Sequence, residues 1–146
     1  FIRYLISPEP LQQMINLGVD LSLPPHYLGS IYGIDVPVGV AVSKNGDRIY
    51  VSEGGGERLV RIFDRRGREI GALDPISTNS MERSPVYLAV IPGGYILVTD
   101  RSHHMITIHS SEGSLLSEYI PAWSPLGIRL SPDGFLLVTD VSTGHN

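Results

Sequence analysis

Three stretches of this chain follow one plan. The first runs Pro37-Val-Gly-Val-Ala-Val-Ser, then Asn45-Gly46, then Arg48-Ile-Tyr-Val-Ser-Glu53. The second runs Pro85-Val-Tyr-Leu-Ala-Val-Ile, then Gly93-Gly94, then Tyr95-Ile-Leu-Val-Thr-Asp100. The third runs Pro125-Leu-Gly-Ile-Arg-Leu-Ser, then Asp133-Gly134, then Phe135-Leu-Leu-Val-Thr-Asp140. The prolines stand 48 and 40 residues apart, and the closing acids 47 and 40. A repeat of this length constrains the fold strongly, because one such unit cannot bury its own apolar face and must stack against its neighbours.

Each unit reads as short strands. Val38 to Val42 and Ile49 to Val51 are rich in β-branched residues and bounded by turn residues. Asn45-Gly46 and Asp133-Gly134 predict hairpins with primed turns, since those turns need positive φ. A third strand is expected over Arg58 to Asp64 and a fourth over Arg68 to Leu73. In the second unit the equivalents are Met105 to His109 and Ser114 to Tyr119. Four antiparallel strands per 40 to 48 residues make one propeller blade. No unit shows the apolar spacing of a helix, which excludes a helical solenoid. The fold class is therefore all-β, a β-propeller of about two and a half blades.

Tyr27 to Tyr32 resembles Leu115 to Tyr119 and predicts a fourth strand without a blade of its own. After Asp140 only Val141 to Asn146 follow, so the third blade carries two strands. Propellers close with roughly 4 to 8 blades, and the expectation is a piece of a larger, six-bladed ring. Residue 1 is Phe, not Met, which agrees with a longer parent. Residues 1–26 read as a lead-in, with a short helix over 10–17 started by Pro10 and stopped by Gly18. Phe1 to Ile6 suits either an ordered strand or tail, or the end of a membrane anchor lying upstream of Phe1. Residues 27–146 form the propeller.

Composition narrows the chemistry. The chain has no cysteine, which excludes disulfides, thiolate metal sites and a cysteine nucleophile. A net charge of −4 argues against a nucleic-acid partner. No Gly-x-Ser-x-Gly is present, and Gly54-Gly55-Gly56 lacks the lysine of a phosphate loop.

The units resemble NHL repeats, the family of six-bladed propellers. Pro37, Gly39, Val40, Ala41 and Val42 match the family's first strand, and Tyr50, Val51 and Ser52 its second, with Glu53 in place of the usual aspartate. Arg58, Ile62 and Phe63 match the third. Asp100, His103, His104 and Ile106 fit in the second unit. Gly127, Asp133, Gly134, Val138, Thr139 and Asp140 fit in the third. The resemblance implies an interaction platform, since most members bind proteins. A few resemble lyases or lactonases that hold calcium or zinc in the central channel. The lead-in Pro24-Pro-His-Tyr-Leu-Gly-Ser-Ile-Tyr-Gly33 resembles bacterial members that follow a membrane anchor. That implies an extracytoplasmic, membrane-associated setting.

In a four-stranded meander the loops after second and fourth strands share one face. Tyr32, Arg83, Tyr87, Arg101, His103, His104, Trp123 and His145 fall in or beside those long loops. They are the expected binding residues, with Trp123 equally suited to plugging the space between blades. Glu53, Asp100 and Asp140 recur on that face. Their carboxylates suit either a calcium-binding ring or caps on the N–H groups of the following loops. Repetition in every blade favours caps. No general acid–base pair is legible. The sequence thus predicts a non-catalytic protein-binding or scaffold subunit without cofactor, its partner a protein in a membrane complex. The alternative is a metal-dependent lyase or lactone hydrolase using calcium or zinc.

Overall fold

The structure, a computed structural model, describes residues 27–76 and 82–142. The chain divides into two compact units, Phe1–Tyr32 and Gly33–Asn146. In the first unit, residues 27–32 form no strand, and the hydroxyls of Tyr27 and Ser30 hydrogen-bond at 2.7 Å. The strand expected there is thus corrected: among the described residues no sheet offers residues 27–32 a partner ladder, and apolar residues alone do not make a strand. The helix expected over 10–17 and the anchor reading of Phe1 to Ile6 lie outside the described residues.

The described part of the second unit is all-β. Its strands are β1 (Pro37–Val42), β2 (Arg48–Glu53), β3 (Val60–Asp64), β4 (Glu69–Ala72), β5 (Pro85–Val90), β6 (Ile96–Asp100), β7 (Met105–His109), β8 (Leu115–Tyr119), β9 (Pro125–Leu130) and β10 (Leu136–Asp140). They form two four-stranded antiparallel meanders, β1-β2-β3-β4 and β5-β6-β7-β8, and a two-stranded sheet, β9-β10. Each sheet is one blade. The first strand opens at the repeat's proline and pairs it with the closing acid: Pro37 with Glu53, Pro85 with Asp100, Pro125 with Asp140.

Two local features differ from the sequence reading. β3 begins at Val60, because Arg58 adopts a left-handed φ of 54° and its N–H closes a turn onto the Gly55 carbonyl. His104, just before β7, has the same handedness at φ 50°. The hairpins also lack primed two-residue turns. Gly46, Gly94 and Gly134 each donate their N–H to the carbonyl three residues earlier, in loops of three to four residues. Asn45 keeps a negative φ, and the positive φ falls on the glycine that follows.

Apolar residues alternate along the strands and meet between blades. Tyr50, Val60, Ile62 and Leu73 of the first blade pack with Leu88, Ile96 and Val98 of the second. Ala89, Leu97 and Ile106 of the second pack with Ile128 of the third. Each junction carries the same polar latch. Ser52 Oγ accepts the Gly39 N–H of its own blade at 2.9 Å and donates to the Val86 carbonyl of the next at 2.7 Å. Thr99 Oγ1 accepts the Tyr87 N–H at 3.2 Å and donates to the Leu126 carbonyl of the next blade at 2.7 Å. A register shift follows each entry proline, between Pro37 and Val40 and between Pro85 and Leu88. That irregularity frees backbone groups for the latch. Gly39 is required for the approach: a Cβ there would lie 2.1 Å from the Val86 carbonyl oxygen.

Thr99→Val keeps the shape and removes the hydroxyl, leaving the Leu126 carbonyl and the Tyr87 N–H without their partner. The expected loss is about 1–3 kcal/mol of unfolding free energy, measured by urea titration. An unchanged midpoint would show that the latch contributes nothing.

Candidate functional site

The ends of β2, β6 and β10 and the entries to β1, β5 and β9 lie on one face, as the pairing of each proline with each acid requires. The recurrent acids there are turned into their own blades. Asp100 accepts the Ser84 N–H on Oδ2 at 3.0 Å and the His103 N–H on Oδ1 at 3.0 Å. The same Oδ1 meets His103 Nδ1 at 3.0 Å. Asp140 Oδ1 accepts N–H groups from Ser124 at 3.1 Å and Ser142 at 2.8 Å, and the Ser142 hydroxyl at 2.7 Å. In both blades the acid ties the entry loop before the proline to the loop after the second strand. The backbone repeats the tie, with Arg101 N–H on the Ser84 carbonyl and Val141 N–H on the Ser124 carbonyl, each at 2.9 Å.

Glu53, with a longer arm, ties the entry loop to β3 instead. Its Oε1 accepts the Asp35 N–H at 3.3 Å and the Arg61 Nε–H at 2.6 Å. Arg61 also bridges to Glu69 at 2.8 Å, and the two carboxylates hold its guanidinium well above its ordinary pKa. Glu53 is buried and its Oε2 has no partner. Glu53, Asp100 and Asp140 stay in separate blades. Among the described residues no three His, Asp or Glu side chains gather as a metal site.

The expected binding residues fall into place unevenly. Arg83, Arg101, His103 and His104 gather at the entry and β6–β7 loops of the second blade, with Arg101 and His104 exposed. Of the two adjacent histidines it is His103 that braces the loop, through its N–H and its Nδ1 on Asp100 Oδ1. Tyr87 is 42% exposed on β5. Trp123 is half-buried in the entry loop of the third blade. Tyr32 is exposed and belongs to the first unit. His145 lies outside the described residues.

One feature escaped the sequence reading. Arg58 Nη1 donates to the Arg83 carbonyl at 3.1 Å, and Arg83 Nη2 donates to the Glu57 carbonyl at 3.0 Å. This reciprocal clasp joins the β2–β3 loop of one blade to the entry loop of the next. No spacing rule links residues 25 apart in two loops. Beneath it lies a recess of about 30 Å³, lined among others by Arg58, Asp74, Arg83, Asp100 and His109. That is room for water and little else. Buried Arg83 Nε and His109 Nδ1 have no protein partner. His109 Nε2 meets Thr107 Oγ1 at 2.9 Å. Burial lowers the His109 pKa below its ordinary 6.5, with a partial offset from the nearby Gly113 backbone and Asp74.

Two consequences can be measured. Arg61→Met leaves the buried Glu53 carboxylate uncompensated and should cost about 3 kcal/mol in a denaturant melt. His109 takes up its proton at lower pH in the folded protein than in the unfolded chain, which protonates near pH 6.5. Its contribution is thus complete above that pH and falls as pH drops below it. His109→Gln should flatten the slope of unfolding free energy between pH 6.5 and 5; an unchanged slope would assign the effect to other groups.

No protein-family model and no curated protein matches the chain. Solved structures do. The chain is similar to a gluconolactonase from Xanthomonas campestris, at 23% identity and TM-score 0.63, over 81% of this chain and 40% of that one. It is similar to a streptogramin B lyase, at 20% identity and TM-score 0.60, over 72% and 34%. It is also similar to the Cps50 (Swd1) β-propeller domain of Myceliophthora thermophila, at 16% identity and TM-score 0.56, over 73% and 32%. The chain thus spans less than half the length of each. At these identities the likeness carries the fold alone: the described blades form part of a β-propeller.

Proposed function

We propose that this chain belongs to a non-catalytic propeller of the NHL type that presents its loop face to a protein partner. The observation that carries the reading is the division of labour on that face. The three recurrent acids are occupied in bracing loops, while Tyr87, Arg101 and His104 are exposed beside them. Aromatic and arginine side chains on braced loops are common binding anchors. The family assignment rests on the Pro-x-Gly-Val-Ala-Val strand at Pro37 and the Leu-Val-Thr-Asp endings at Asp100 and Asp140. The extracytoplasmic, membrane-associated setting rests on the resemblance of the Pro24 to Gly33 stretch. Among the described residues, no helix is long and apolar enough to cross a membrane. A net charge of −4 argues against nucleic acid as the partner.

The rival is a metal-dependent lyase or lactone hydrolase, favoured by the names of two similar structures. One set of measurements separates the two. A photoreactive phenylalanine analogue replacing Tyr87 should give a discrete protein adduct in the producing cell's membrane fraction. The same analogue replacing Leu116, exposed on the outer strand β8, should give none. Calorimetry of chelator-treated protein with calcium and with zinc should show no saturable uptake, and gluconolactone should be hydrolysed no faster than in buffer. Stoichiometric metal uptake with chelator-sensitive hydrolysis would replace the platform reading by the rival. Equal adducts at both positions would remove the loop face from it.

A further inference from the structure

The turn that joins β1 to β2 differs chemically from its equivalents. It carries Asn45-Gly46, where the second blade has Gly93-Gly94 and the third Asp133-Gly134. Asn45 is exposed, and Gly46 has no side chain to shield its own nitrogen. The asparagine side chain folds back along the chain. Its Oδ1 accepts the Asp47 N–H at 3.4 Å. The Ser43 hydroxyl stands 2.9 Å from that Oδ1 and 2.7 Å from Asp47 Oδ1, one hydrogen between two acceptors. A side-chain oxygen that meets the N–H two residues on carries its Cγ towards the nitrogen in between, that of Gly46. Arg65 of the β3–β4 turn approaches the same peptide. Its Nη2 donates to the Asn45 carbonyl at 2.7 Å and its Nε to the Gly46 carbonyl at 3.2 Å.

The Asn45 carbonyl is conjugated to the Gly46 nitrogen. When that nitrogen gives up its proton, negative charge spreads onto the carbonyl oxygen, where a guanidinium is already bonded. We propose that Asn45 is a self-modification site, at which the folded turn promotes its own deamidation. The Gly46 nitrogen loses its proton to hydroxide and bonds to Asn45 Cγ. The Cγ–Nδ2 bond breaks, and Nδ2 leaves protonated as ammonia. One water then opens the five-membered succinimide at either carbonyl, giving aspartate or isoaspartate. Water is the only co-reactant. Two features oppose the step. The Gly46 N–H must first leave the Ser43 carbonyl, which it meets at 2.9 Å, and the Asp47 carboxylate adds a negative charge nearby. Arg65 outweighs that charge because it bonds the developing anion directly. The third blade shows that the aspartate product fits. Asp133 holds the equivalent place, and Gly134 N–H still meets the Ser131 carbonyl at 3.0 Å. Isoaspartate adds a backbone carbon and shifts that bond. The turn lies on the face opposite the long loops, so the inference is independent of the binding reading.

The full chain is incubated at one neutral pH, folded in buffer and unfolded in urea. Peptide mapping follows the conversion of Asn45, and an isoaspartyl methyltransferase assay detects the isoaspartate. The folded chain should convert faster than the unfolded one. Equal or slower conversion in the folded chain would overturn promotion by the turn. Arg65→Leu, at an exposed site, should stay folded by circular dichroism and convert about tenfold more slowly, as loss of one charge-assisted hydrogen bond predicts. An unchanged or faster rate in that variant would overturn the part assigned to Arg65. Arg65→Lys keeps the charge without the paired donors and should fall between the two.

Discussion

The hydroxyl at the end of each second strand holds the blades in register. One oxygen accepts an N–H from its own blade and donates to a carbonyl of the next, so a blade and its neighbour are located by the same atom. Apolar contact alone would not do this. Dispersion and burial are non-directional, and two valine-rich faces can slide past one another at little cost. The latch works because the strand is irregular after its entry proline, and because Gly39 lets the Val86 carbonyl come close. Proline, glycine and hydroxyl in the repeat are thus parts of one device.

The acids on the loop face serve a related end. Each follows the latch residue directly, and Asp100 and Asp140 tie the entry loop of their blade to the loop after its second strand. Carboxylates suit this task, since one group can accept several N–H bonds from loop backbone that would otherwise lack partners. The first blade departs from the pattern. Glu53 is one methylene longer, reaches Asp35 instead of the residue next to the proline, and takes a charged partner in Arg61. A buried carboxylate with an ion pair depends on that partner more heavily than a capped aspartate does. The loop face is consequently rigid where it is acidic, and the exposed side chains around it stand on braced backbone.

The blade plan was legible in the sequence because it is local. Strand order, hairpin positions and the two-stranded third blade follow from period-2 apolar runs and glycine turns. The turn geometry was not legible: Asn-Gly is compatible with a primed turn, and loop length decided against it. Tyr27 to Tyr32 resembles a strand in composition, yet forms none, since a strand needs a partner ladder as well as apolar residues. The candidate site was partly legible. The acids and histidines could be assigned to one face by counting strands, but which histidine braces the loop depended on how Asp100 turns. The Arg58–Arg83 clasp and the buried His109 were not legible at all.

The repeat by itself determined the all-β blade, the face on which each loop falls and the residues that end each strand, because these depend on neighbours in the chain. Tertiary structure alone decided which copies of the same four residues are buried. Leu97 and Leu137 open the same Leu-Val-Thr-Asp run and have opposite exposure. The reason is physical: burial belongs to the surface that arrives from elsewhere, and a sequence motif encodes the demand for such a surface without encoding its presence.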